Sequence, residues 1–382
     1  MNIKVIYHVG AWNRNVGDWA ACYNLHRLIE QECLRQNKFV RFVPIDSQRG
    51  HFHDDLINCI NNNGHMMLLG PGGMIFNRPS DQSISGWAFS ISEENILKIK
   101  VPIVVFGIGY NKFYYDQSNW PEYMGSHIRV LASKAKIFST RDQGSKNLIS
   151  DVFKVPEKNI KVVPDTGLYA FDEKITIPGI DHEKKIIGIN WAGDRPEERF
   201  PTPHQVTEQH FIKEVSSALD VLVNEKNYQI VFIPHLQDVD VSIRDQLFKP
   251  IKQDVLDIYK LLPHLYPPAG ENLYVHVPFY LNIYRQLDLT LGMRGHSCIF
   301  SFGVSTKFIP FGSHNKLQYF IDDLNIPNHS YRMTDLNDNS DSLIKVIEKC
   351  LNDSDYDSLA DKSLEIAKSK IDEVTKELVE CL

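Results

Sequence analysis

The chain has 382 residues, of which 43% are hydrophobic and 23% charged, and this globular composition excludes disordered, collagen-like and coiled-coil classes. At roughly 150 residues per domain, the length predicts two or three domains. With 41 basic and 48 acidic residues the formal charge is −7, so no net positive field awaits a nucleic-acid backbone and no nucleic-acid partner is expected.

The opening, Met1 to Tyr7, runs straight into a strand pattern without the basic, apolar and small-residue regions of a signal peptide. Lys4–Val9 reads as a strand. Asp18–Gln36 carries Ala21, Leu25, Leu28, Ile29 and Cys33 at the spacing of an amphipathic helix. Phe39–Pro44 reads as a strand and Asp54–Asn61 as a short helix. Met66–Leu69 is a buried strand entering Gly70-Pro71-Gly72-Gly73, and Val101–Ile108 is another, entering Gly109. That run is the longest apolar one and falls far short of the ~20 residues that span a bilayer, so no transmembrane segment is expected. Ile137–Thr140 and Lys161–Val163 complete the first half.

A polar stretch from Asp172 to Lys185, with Pro178 and Gly179, reads as the domain linker. Beyond it the strands are Ile186–Asn190, Gln229–Pro234, Asp288–Leu291 and Lys307–Pro310, with Phe211–Lys226 the clearest helix. Continuous apolar strands alternating with helices predict parallel sheets covered on both faces. The expected fold class is therefore α/β, with two Rossmann-like domains facing across a cleft, over residues 1–175 and 185–355. A terminal helical segment, 356–382, has an apolar stripe at Ala367, Ile371, Val374, Leu378 and Cys381, which either stays with the second domain or crosses back to the first. The six cysteines (Cys22, Cys33, Cys59, Cys298, Cys350, Cys381) form no Cys-x-x-Cys pair and read as reduced core residues of a cytoplasmic protein.

In open α/β sheets ligands bind beyond the carboxyl ends of the strands, so the residues that follow each strand are the candidates. After the first strand come Asn13, Arg14, Gly17 and Asp18. Gly17 suits a tight turn, and Asp18 is either a helix cap or a ligand for sugar hydroxyls. Gly72 and Gly73 form an anion nest or a structural turn. Arg141 either binds an anion or pairs with Asp142, and Asp165 either orients Arg141 or caps a turn. In the second half, Asn190 ends one strand, and Pro234 through Asp238, including His235, follows another. The densest group is Gly292-Met293-Arg294-Gly295-His296-Ser297. Read as a strand end, its Arg-x-His alternation puts both side chains on one side. Arg294 offers a fork for carboxylate or phosphate and His296 a proton near neutral pH, the alternative being a satisfied core histidine. Lys316 is either one more cation or a surface lysine. No dense metal-ligand spacing and no phosphate loop occurs.

Together these pieces resemble the polysaccharide pyruvyl transferase family. The resemblance rests on Val16-Gly17-Asp18, Gly70-Pro71-Gly72-Gly73, Ser139-Thr140-Arg141-Asp142 with Ser145, Pro164-Asp165, Gly292 to His296, and Lys316, in the family's order over about residues 5–325. It implies a glycosyltransferase-B-like pair of domains. It also implies transfer of the enolpyruvyl carbons of phosphoenolpyruvate to two hydroxyls of a sugar, giving a cyclic ketal. His296, Arg294 and Asp18 would then be catalytic. Arg141, Lys316, Gly17, Gly72, Gly73, Asn190, Asp165, His235, Gly295 and Ser297 would bind substrate, and Trp12, Trp191 and Tyr110 would stack on a sugar. No cofactor or metal is implied. The acceptor would be a lipid-linked or nucleotide-linked glycan at the cytoplasmic membrane face, implying peripheral membrane association. Gly295 departs from the family, in which a larger apolar residue is expected.

Two rivals remain. A glycosyltransferase using a nucleotide sugar would favour a Glu-x7-Glu feature, found here only as Glu365 and Glu373 on the terminal helix. A non-catalytic carbohydrate-binding protein would have no need for both Arg294 and His296.

Overall fold

A computed structural model describes residues 3–12, 15–47, 49–78, 82–116, 118–171, 174–200, 207–251, 255–261, 277–333 and 340–382. Asn13, Arg14, Asp172, Glu173 and the side chain of Asp238 lie outside the described residues.

The first half contributes strands β1 (Ile3–Gly10), β2 (Phe39–Asp46), β3 (Met66–Leu69), β4 (Gly72–Ile75), β5 (Ile103–Tyr110), β6 (Ile137–Thr140) and β7 (Lys161–Val162). They form a parallel sheet in the order β2-β1-β3-β5-β6-β7, with β4 added beside β5. The second half contributes β8 (Ile186–Asn190), β9 (Gln229–Phe232), β10 (Val255–Asp257), β11 (Leu289–Gly292), β12 (Lys307–Gly312) and β13 (Tyr331–Arg332), parallel in the order β10-β9-β8-β11-β12-β13. Every residue of β3, β5 and β8 is buried, as helices on both faces of a parallel sheet require. β5 starts two residues later than the apolar run suggests, because Pro102 has no amide hydrogen for the ladder.

Apolar packing joins the halves. One buried cluster runs from Leu25 and Ile29 on helix Val16–Arg35 to Phe300 on helix Gly295–Gly303. The same cluster takes in Ile371, Val374 and Leu378 of the 27-residue terminal helix Ser354–Glu380, which crosses back onto the first half. Polar ties hold that crossing, with Lys161 Nζ 2.6 Å from Glu377 and Lys38 Nζ donating to the Val379 carbonyl at 3.0 Å. Separate clusters fill the outer layers of each half.

All six cysteines are unpaired thiols, and four are buried. Cys59 departs from the core reading, since it is exposed on helix Asp54–Asn63, whose buried stripe is Ile57 and Ile60. Among the described residues no helix is long and apolar enough to cross a membrane.

Candidate active site

The carboxyl ends of the two sheets face each other across a cleft of about 390 Å³. From the first half, Asn15, Asp18, Gly73, Asn111 and Arg141 line it. From the second come Asp194, Arg195, Arg199, Arg294, Gly295, His296, His314 and Lys316.

His296 is the second residue of helix Gly295–Gly303, for which Arg294 is the N-cap, so the Arg-x-His pair opens a helix rather than ending a strand. The two side chains therefore diverge. The imidazole reaches the first half, with Nε2 3.4 Å from Asp165 Oδ2 and Nδ1 3.9 Å from Asp18 Oδ1. Both His296 Nε2 and Asp165 Oδ2 are buried and make no hydrogen bond. Burial pushes the Asp165 carboxyl up, but His296 and Arg141 outweigh it and hold it at about 2. Asp165 is thus an ionised group fixed by the Gly167 amide at 2.9 Å.

Gly17 serves a close approach rather than a turn. It lies in the first turn of helix Val16–Arg35, and a Cβ there would sit 2.4 Å from His296 Nδ1. The helix is capped by Asn15, whose side chain accepts from the Gly17 amide at 2.9 Å, so the capping reading of Asp18 does not hold. Asp18 sits in the first turn, facing the cleft, where the helix N-terminus favours its charge.

Arg141 directly follows β6, with its side chain only 8% exposed, 3.3 Å from Asp142 and 3.6 Å from Asp165. Asp142 also caps helix Gln143–Asp151 through the Ser145 amide at 2.6 Å. Lys316 is a cleft residue rather than a surface lysine. Its ammonium donates to Asn111 Oδ1 at 2.9 Å across the halves, and burial with Arg141 and Arg199 nearby lowers it to about 7.

The fork of Arg294, assigned from sequence to the donor, is occupied by protein. Nε is 2.8 Å from Asp240 Oδ2, while Nη2 is 2.5 Å from Asp240 Oδ1 and 2.8 Å from Asp194 Oδ1. Asn190 and Ser297 belong to the same brace. Asn190 Oδ1 accepts the Arg294 amide at 3.0 Å, and Ser297 Oγ donates to the Arg294 carbonyl at 2.6 Å. His235 is fully buried behind the cleft, 2.7 Å from the Tyr284 hydroxyl, and its carbonyl accepts the Val16 amide, tying the halves together. Gly72 and Gly73 form strand β4 rather than a nest, leaving Gly73 on the cleft wall. Trp191 is buried among Phe211 and its neighbours and has no face for a sugar. Tyr110 is nearly buried too, at 8% exposure.

Sequence reasoning missed Asp240, Asn111 and Arg199. Asp240 closes the short helix Gln237–Asp240 rather than a strand, and Asn111 lies one residue past β5. Arg199 pairs with Asp194 at 3.0 Å and bonds Ser313 at 3.0 Å. Among the described residues no group of three His, Cys, Asp or Glu side chains could hold a metal ion.

Two parallel α/β sheets meeting at a cleft, with a terminal helix returning to the first, define a glycosyltransferase-B-type protein. Solved structures share this architecture. The UDP complex of S. aureus MnaA matches with a TM-score of 0.57 at 13% identity, covering 94% of this chain and 90% of that one. UDP-GlcNAc 2-epimerase from Neisseria meningitidis matches at 0.56 and 12%, covering 100% and 99%. A glycosyltransferase from Rickettsia africae matches at 0.52 and 11%, covering 97% and 94%. At such identities the likeness carries the fold alone. The chain belongs to the polysaccharide pyruvyl transferase family, whose model matches residues 15–315. That membership makes it a transferase of polysaccharide modification. No curated protein matches the chain in sequence.

Proposed function

We propose that the protein moves the enolpyruvyl carbons of phosphoenolpyruvate onto two hydroxyls of a sugar, forming a cyclic pyruvate ketal. The observation that carries this reading is the buried His296 imidazole, set between Asp165 and Asp18 in a cleft that draws cations from both halves. The donor's carboxylate and phosphate need at least two cations, and Lys316, Arg141 and Arg195 line the same space. Arg294 shapes that space through Asp240 and Asp194.

Two hydroxyl protons leave the acceptor. One equivalent ends on the methylene carbon, which becomes a methyl group, and the other on the departing phosphate. Two carbon–oxygen bonds form at the central carbon and its bond to the phosphate oxygen breaks. His296 carries protons between hydroxyl and donor. The ionised Asp165 stabilises the imidazolium, and Asp18 orients the attacking hydroxyl. No step draws on a divalent metal or redox cofactor. The acceptor is a glycan, lipid-linked or nucleotide-linked, met at the cytoplasmic membrane face.

A second reading follows from the fold, because two of the solved relatives carry UDP or UDP-GlcNAc and a cationic cleft also suits a diphosphate. Thermal shift separates the two. A ligand at a hundredfold its Kd stabilises by about 2.7 kcal/mol. Phosphoenolpyruvate should raise the melting temperature and UDP should not. The reverse pattern would move the protein to the nucleotide-sugar class.

A further inference from the structure

A second cavity of about 280 Å³ adjoins the cleft, and the two share Arg141, Gly295 and Lys316 on their walls. Resting on the pyruvyl transfer reading, we propose that this cavity extends the acceptor site. It takes an apolar chain joined to the sugar through an anionic ester, with Gly295 as the passage.

Gly295 has no positive φ, so its backbone does not demand glycine. What glycine leaves there is room. A Cβ would meet only Lys316 Cε at 3.6 Å and Leu317 Cδ2 at 4.0 Å, ordinary contact distances, and a longer side chain would fill the junction of the two cavities.

Past this point the lining changes character. The cleft is charged, whereas the second cavity is walled by Ile299, Leu317, Phe320 and Leu324. Its outer mouth is formed by the terminal helix, where Leu359 and Ile366 stand 39% and 49% exposed. They are seven residues apart and so share a helix face. An aliphatic chain leaving the cavity would cover them both.

The charges admit an anion. Lys316 stands at the passage, and Lys362 and Lys370 line the outer part. Of the carboxylates on the wall, Asp142 and Asp165 are paired with Arg141. Burial raises the third, Asp323, to about 6, and it accepts the Gln143 amide at 2.8 Å.

Calorimetry with monomeric decyl phosphate tests the assignment, with butyl phosphate as the short-chain control. Each buried methylene is worth about fourfold in affinity, so decyl phosphate should bind at least about tenfold tighter than butyl phosphate. Ile366→Glu, at an exposed position, and Gly295→Leu, at the passage, should each weaken decyl phosphate by at least about tenfold while melting like the parent. Phosphoenolpyruvate affinity should stay unchanged in Ile366→Glu. Equal binding of the two alkyl phosphates, or parent-like affinity in both variants, overturns the inference. So does binding only to vesicles of anionic phospholipid, which would make the face a membrane contact. If decyl phosphate shows the expected pattern and phosphoenolpyruvate does not bind, the apolar subsite stands and the donor assignment falls.

Discussion

His296 Nε2 lies 3.4 Å from an Asp165 carboxylate oxygen, and the two residues come from different halves of the protein. The imidazole belongs to the second half and the carboxylate that would stabilise its protonated form belongs to the first. Neither atom has a hydrogen bond. Buried polar atoms normally have partners, and here the same Asp165 oxygen also has the Arg141 guanidinium 3.6 Å away.

Replacing His296 should therefore separate chemistry from binding. His296→Ala is expected to lower kcat by ~10²–10⁴-fold. Donor affinity and melting temperature should stay near the parent's. Steady-state kinetics with calorimetric titration of phosphoenolpyruvate checks this, and near-parent turnover would remove His296 from the mechanism.

Arg294 should behave differently. Asp240 is fully buried and faces this guanidinium, and Asp194 shares it. Burial works against the Arg294 charge, yet Asp240 and Asp194 outweigh it and raise its proton affinity. Arg294→Ala leaves the buried Asp240 carboxylate without its ion partner and should cost about 3 kcal/mol of stability, the lower end for such pairs because three backbone amides still donate to it. Denaturant unfolding reads this directly. A variant that unfolds like the parent but loses donor binding would restore the guanidinium to the donor.

If the proposed donor site holds, Lys316 should make donor binding depend on pH. The ammonium is lowered to about 7 in the folded protein, so it is lost as pH rises through 7. Each pH unit above that point leaves one-tenth as much ammonium, and phosphoenolpyruvate should bind about tenfold or more weakly at pH 9 than at pH 7. Lys316→Arg keeps its charge throughout and should flatten the profile.

Acid should unfold the protein through buried neutral histidines. Burial lowers His8 and His127 from 6.5 to about 4. The unfolded chain then binds more protons than the native one, so their contribution is full above pH 6.5 and is lost as pH falls toward 4. Each accounts for on the order of 3 kcal/mol over that window. Melting temperature measured from pH 7.5 to 4.5 should fall steeply below 6.5, and a flat profile would contradict the assignment.

The parallel sheets were legible because buried strands such as β5 read as unbroken apolar runs. β10 and β13, three and two residues long, carry no such signal. In the site, Arg141 and its partners Asp142 and Asp165 were legible from the residues that follow strands, whereas His296, read as a strand-end residue, opens a helix and meets Asp165 and Asp18 of the other half. The fate of the Arg294 fork is set by Asp240, 54 residues away in sequence. Lys316 reads equally as one more cation or as a helix-start surface lysine, and only the fold, which packs it between the halves, decides between them. Trp191 follows a strand as a sugar platform would, yet burial beside Phe211 puts it in the core.

The central claim is ketal formation at His296. The most direct measurement incubates the protein with phosphoenolpyruvate and a panel of surface glycans, then follows glycan mass and released inorganic phosphate together. The account predicts a mass gain equal to one pyruvyl ketal per phosphate released, abolished in His296→Ala. Glycan modification that requires a nucleotide sugar instead, with phosphoenolpyruvate unchanged, would contradict it.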